Sequence, residues 1–214
     1  PMVEVLGKPI LLHQIEHLKA HGVKHFVIAC HYKWQIIQSF LGKGENRDVE
    51  ISYSVEDEPL GRGGAVKKAY QKIADRHQSV IVTNGDNLFD IHIRRLKEHH
   101  AKTKASITIV LVPLRSPYGI LKVKGDQVLK FLEKPILPYW VNAGVYVLSP
   151  ESLAHFPEKG DHEESTFPQL AGEGKITAYR HRGFWKGIDN QKDLREAEEF
   201  FKTKRRGAAV KVEE

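Results

Sequence analysis

Apolar positions along the 214-residue chain change their spacing repeatedly, and the changes divide it into elements. Ile10, Leu11, Ile15 and Leu18 recur at helical spacing, which predicts a helix over 9–20 with Pro9 in its first turn and Gly22 just past its end. The run 23–30 reads as a strand, 34–41 as a helix and 49–55 as a strand. The alternation continues with a helix over 65–72, a buried strand over 80–82, a helix over 91–101 and a β-branched strand over 106–112. Such a rhythm predicts an α/β fold with a doubly wound, mostly parallel, Rossmann-like sheet covered on both faces.

After Pro113 the pattern shortens. Segments 119–123 and 128–132 flank Gly125-Asp126, a hairpin signal. A strand over 140–148, a short helix over 151–156 and a strand over 176–179 follow. The chain closes on an amphipathic helix over 193–202 with Leu194, Ala197, Phe200 and Phe201 on one side. No linker, repeat or low-complexity stretch interrupts it, so the second half reads as a β-rich lid continuous with the sheet within one domain.

Composition narrows the class. With 41% hydrophobic and 28% charged residues the chain is an ordinary globular protein. No apolar stretch approaches the roughly 20 residues that cross a bilayer, and no signal peptide pattern opens it, so a soluble, cytoplasmic protein is expected. The single cysteine, Cys30, lies in an apolar run and reads as a buried structural thiol. A net charge of +6 suits anionic partners; without interleaved aromatics it favours phosphorylated small molecules over nucleic acid. The twelve histidines, scattered apart from the adjacent His99 and His100, show no HExxH-type metal-ligand spacing and read mostly as surface residues.

The chemistry concentrates at a few places. Gly61, Gly63 and Gly64 precede the helix over 65–72, and their missing β-carbons permit positive φ and close approach of backbone N–H groups to a phosphate or a base edge. The same glycines also suit a plain strand-to-helix turn. Asp86, after Asn84-Gly85, stands where an open sheet places its ligands, and is either a metal ligand or a helix cap. Asp189 carries the same two readings, and together the carboxylates would suit one Mg²⁺ with substrate phosphates. Pro135 predicts an extended Lys134 whose ammonium can neutralise a phosphate. Glu133 beside it can accept from hydroxyls, unless the two form only an exposed ion pair.

Residues 1–10, Glu56 to Ala65, Asn84-Gly85-Asp86, Tyr118-Gly119, Glu133-Lys134-Pro135, Asn142-Ala143-Gly144 and 185–189 occur in the order found in the sugar-1-phosphate nucleotidylyltransferases, and the chain resembles that family over nearly its whole length. The resemblance implies a glycosyltransferase-A-like nucleotidyltransferase fold, with residues 1–112 as the nucleotide-binding half, 113–190 as a sugar-binding lid and metal segment, and 191–214 as a closing helix and tail. It implies transfer of a nucleoside monophosphate from a nucleoside triphosphate to a sugar 1-phosphate, with release of pyrophosphate. Leu60, Gly61 and Gly64 would contact the base, Asp86 and Asp189 bind Mg²⁺, Gly119 and Glu133 hold the sugar, Lys134 its phosphate, and Asn142 a sugar hydroxyl. A homo-oligomer is compatible with this reading.

Departures from the family pattern carry expectations of their own. The family's first strand and its Gly-x-Gly-Thr-Arg triphosphate loop would precede Pro1; the expectation is an omitted upstream segment, with supply by another polypeptide or a degenerate member as alternatives. Arg62 replaces a usually small residue and either places a cation near the ligand or points to solvent. Gly187-Ile188-Asp189-Asn190 resembles the metal segment of cytidylyltransferases, whereas the Leu60 to Ala65 loop resembles guanylyltransferases acting on mannose or heptose phosphates. A non-catalytic nucleotide-sugar-binding subunit of the same fold is the alternative function.

Overall fold

The computed structural model describes the backbone of residues 1–210 and the side chains of residues 1–203. In chain order the strands are β1 (Glu4–Val5), β2 (Lys8–Pro9), β3 (His25–Cys30), β4 (Glu50–Val55), β5 (Val80–Thr83), β6 (Asn87–Phe89), β7 (Ile107–Arg115), β8 (Ile120–Lys124), β9 (Gln127–Leu132), β10 (Ile136–Leu148), β11 (Ile176–Arg180) and β12 (Trp185–Gly187). The helices are α1 (Ile10–Ala20), α2 (Trp34–Leu41), α3 (Gly61–Tyr70), α4 (Ile93–Thr103), α5 (Thr166–Gly172) and α6 (Gln191–Val210). No described helix is long and apolar enough to cross a membrane.

The central sheet has the order β11-β7-β10-β5 and is mixed rather than mostly parallel. β11 runs parallel to β7, but β10 is antiparallel to both β7 and β5. The cause lies in the connection: β7 leads into the β8–β9 hairpin and returns directly as β10, whereas a parallel neighbour would need a crossover. The half expected as a lid thus contributes β10 and β11 to the central sheet. β3 and β4 form a separate parallel pair. Between β3 and β5 lies an open cleft of about 1270 Å³ lined by residues that include Phe26, Ile28, Ile81 and Thr83.

Strand alternation explains how β10 is buried on both faces. Val145 and Val147 pack with Leu18, Leu96 and Val110, while Tyr146 and Leu148 pack with Ile107, Phe156, Phe167 and Leu170. α1 buries Ile10, Leu11, Ile15 and Leu18, as its spacing predicts. Five elements escaped the sequence reading, β1, β2, β6, β12 and α5, all too short to show a period. The predicted helix over 151–156 is a 3-10 turn, Pro150–His155.

Candidate functional site

The turn after β5 is held from several sides. The Asn84 N–H donates to the Gly144 carbonyl at 2.9 Å. From α1, the buried Gln14 amide donates to the Asn84 and Asn87 carbonyls at 2.8 and 2.5 Å. The Asn87 amide and the Trp185 indole both donate to the Ala143 carbonyl, at 2.9 and 2.8 Å. Gly144 has φ +65°, and a β-carbon there would lie 2.5 Å from Asn84 Nδ2, so the contact between the 142–144 and 84–86 segments requires glycine. The fixed turn leaves Asp86 exposed and leads into strand β6, which removes its reading as a helix cap.

β12 brings the second carboxylate to the same place. It pairs antiparallel with β6, Gly187 opposite Asn87, and the Ile188 N–H continues the ladder to the Asp86 carbonyl at 3.0 Å. Asp189 follows one residue later. Its cap reading also falls, because the Asn190 side chain accepts from the Lys192 and Asp193 N–H groups at 2.9 and 3.2 Å and so starts α6. Lys186 is held by Asp193 and Glu196, each at 2.7 Å. Burial would raise the Asp193 carboxyl, but the Lys186 ammonium outweighs it and holds it below the ordinary carboxylate value. Among the described residues, neither the Asp86 nor the Asp189 carboxylate is taken by a hydrogen bond or ion pair, and both are exposed.

These two groups fit Mg²⁺ by donor chemistry: hard oxygen ligands, unspent on other partners. Among the described residues no group of three or more His, Cys, Asp or Glu is placed to hold a metal ion, so phosphate oxygens and water would complete the shell.

The glycine loop is built differently from its first reading. α3 already begins at Gly61, whose φ is +74°. The Gly63 N–H donates to the Gly160 carbonyl at 2.8 Å, and the Gly160 N–H returns to the Leu60 carbonyl at 2.7 Å. A β-carbon at Gly61 would lie 2.6 Å from the Gly160 oxygen, one at Gly63 would lie 2.7 Å from Pro157 Cγ, and one at Gly64 would collide with the Glu158 carbonyl. The glycines therefore admit the 157–160 segment, which also takes N–H groups that would otherwise face a phosphate. Leu60 is half-buried, Gly61 exposed, and Gly64 buried. Arg62 does not point idly to solvent: it pairs with Asp161 and Glu163.

In the hairpin, Ile120 pairs with Leu132, which sets Gly119 opposite Glu133. A β-carbon at Gly119 would lie 2.5 Å from the Phe131 ring. Lys134, expected extended, has φ +45° instead. Its carbonyl accepts from Arg115 at 3.0 Å, and the Pro135 carbonyl accepts from the Ser116 N–H at 2.9 Å, so a tight return into β10 overrides the preference imposed by proline. Lys134 and Glu133 pair at 3.4 Å. The structure brings Asp86, Asp189 and the 142–144 segment together, and Asn142 in turn touches Glu163, the partner of Arg62. No hydrogen bond or ion pair among the described residues joins Glu133 or Lys134 to that group.

The sequence reading missed Gln14 and Glu163 as builders of this site, and it held Gly144 and Trp185 only within the family motifs at 142–144 and 185–189, without a structural role.

Comparison with known proteins identifies the family. Residues 1–204 match the family model described as nucleotidyl transferase. A mannose-1-phosphate guanyltransferase of Yarrowia lipolytica is 34% identical over 202 residues, which span 91% of this chain and 56% of the relative. The mannose-1-phosphate guanylyltransferase catalytic subunit beta of Danio rerio is 33% identical over the same shares. The chain thus spans about half the length of these curated relatives. The crystal structure of HddC from Yersinia pseudotuberculosis superposes with a TM-score of 0.76 at 28% identity, covering 94% of this chain and 89% of that one. Its complex with GMP-PN gives 0.74 at 27% identity over the same shares. With the family model spanning residues 1–204, the chain belongs to the nucleotidyl transferase family.

Proposed function

We propose that the protein transfers a nucleoside monophosphate from a nucleoside triphosphate to a sugar 1-phosphate, with guanosine as the nucleoside and a mannose- or heptose-type sugar. The observation that carries this reading is the β6–β12 register, which sets two exposed, unspent carboxylates, Asp86 and Asp189, on adjacent segments. The nucleoside and sugar are supported by the relatives' names and by the GMP-PN complex of the HddC structure.

In this reading a phosphate oxygen of the sugar 1-phosphate attacks the α-phosphorus in line, an O–P bond forms, and the α–β bridging bond breaks to release pyrophosphate. The nucleophile is already anionic, so the residues act by positioning and by charge neutralisation rather than by removing a proton. Asp86 and Asp189 would hold Mg²⁺, which when bound supplies positive charge to the phosphates. Leu60, Gly61 and Gly64 border the base, Gly119 and Glu133 the sugar, and Lys134 its phosphate.

The test is pyrophosphate release from a panel of nucleoside triphosphates and sugar 1-phosphates, using protein expressed with any encoded sequence flanking residues 1–214. Release with GTP and a mannose- or heptose-type phosphate is expected. Binding of GDP-mannose without release from any pair would replace the enzyme with a nucleotide-sugar-binding subunit.

A further inference from the structure

β10 contains an irregularity that ordinary strand geometry does not explain. Asn142 pairs with Leu111 and Tyr146 with Ile109, so four steps along β10 match two along β7. In a regular strand, side chains four residues apart would be about 13 Å apart. Here the bulge and the left-handed Gly144 bring Asn142 Nδ2 to 2.8 Å from the Tyr146 hydroxyl. Bulges of this kind re-aim side chains beside sites.

The bonds around Asn142 fix which way its amide faces. The Gly144 N–H is a donor and lies 2.9 Å from Asn142 Oδ1, so that atom is the oxygen. Nδ2 then donates into this network, lying 2.8 Å from both the Tyr146 hydroxyl and Glu163 Oε1. The Tyr146 hydroxyl donates to the same Glu163 oxygen at 2.6 Å, and the second Glu163 oxygen meets Arg62 at 2.9 Å. Asp161 holds the other side of the Arg62 guanidinium and accepts the Glu163 N–H at 2.8 Å. Asn142 is exposed, so what it can still offer a ligand is a lone pair of Oδ1.

We propose that Glu163, fixed by Arg62, is a positioning residue that holds the Asn142 amide nitrogen in this network and leaves Oδ1 to read the ligand, so that this site selects sugar 1-phosphates with a donating hydroxyl at the position Asn142 reads. The proposal rests on the transferase reading above. It also gives Arg62 a role: the residue that departs from the small side chain usual in the family anchors the sugar-reading amide from the base side.

The test compares hydroxyl-bearing sugar 1-phosphates with their deoxyfluoro counterparts, in which fluorine keeps the volume and cannot donate. The wild type should show a higher KM for one deoxyfluoro isomer, by about ten-fold or more, as for a lost hydrogen bond between partly buried groups. Glu163→Gln should shrink that ratio toward one while leaving the KM for the triphosphate within about two-fold, and Arg62→Met, which removes the ion pair that fixes Glu163, should move it in the same direction. Unchanged discrimination in both variants overturns the proposal.

A second readout needs no turnover. In ¹⁵N NMR spectra the Asn142 side-chain NH₂ should exchange slowly in the wild type and fast in Glu163→Gln. A fast-exchanging Asn142 amide in the wild type overturns the lock even if the enzyme is active. A locked amide in a protein that releases no pyrophosphate rejects the transferase reading, and with it the sugar-selection part of the proposal.

Discussion

At the residue scale, the helix-cap reading of each carboxylate is removed by the element that follows it. Asp86 and Asp189 were both visible in the sequence, but spacing alone could not separate a ligand from a cap. The strand after Asp86 and the side chain of Asn190, which takes the cap beside Asp189, leave neither carboxylate as a cap. Asn190→Ala should therefore cost about 1 kcal/mol of stability, the usual loss for an amino-terminal cap. Asp189→Asn should stay within about 0.5 kcal/mol in the same urea titration, as for a surface side chain with no partner. Turnover should respond in the opposite order: Asp86→Asn and Asp189→Asn should each lower kcat/KM by about 100-fold or more, as expected when charge stabilisation at the phosphates is lost, while Asn190→Ala retains most activity. Unfolding of Asp86→Asn would instead mean that this carboxylate serves the fold.

At the element scale, long periodic segments were legible and short or packed ones were not. α1, α2, β3 and β4 announce themselves by spacing, and the hairpin by Gly125-Asp126. α3 was misplaced at its start because its first turn is made of glycines, whose role depends on the 157–160 segment a hundred residues away. The β10 bulge and the β12 ladder likewise depend on partners distant in sequence. The α3 start gives a direct prediction. Gly61→Ala must accept a left-handed φ and a β-carbon 2.6 Å from the Gly160 oxygen, so it should destabilise by about 1–3 kcal/mol. Hydrogen exchange at the Gly63 N–H, which donates to that oxygen, should accelerate with it. An unchanged midpoint and unchanged protection would mean that the 157–160 segment yields without cost.

At the scale of the whole molecule, the α/β class was legible and the sheet directions were not, because direction is set by how segments connect rather than by their composition. Histidine placement shows the same limit. Most of the twelve were expected at the surface, yet His100 and His162 are buried within the two layers around β10. The His100 ring is bonded to Thr108 at 2.8 Å and Ser149 at 3.0 Å. Burial pushes its pKa below the ordinary 6.5, with Glu151 opposing. Burial does the same to His162, against Asp161 and Glu163. Both groups therefore bind a proton more readily in the unfolded chain than in the folded one. Their contribution is complete above pH 6.5 and is lost as pH falls below it, until the lowered folded value is reached, at up to about 1.4 kcal/mol per pH unit for each histidine. Asp161 adds a second, more acidic loss: the Glu163 N–H and Arg62 outweigh its burial and hold its carboxyl below 3.8. Urea midpoints should then begin to fall near pH 6.5, well above the carboxylate range, and His100→Gln should flatten part of that early slope while leaving the loss below pH 4 in place. A stability profile level from pH 7.5 to 5 would require both buried rings to accept protons without penalty, which their burial does not permit.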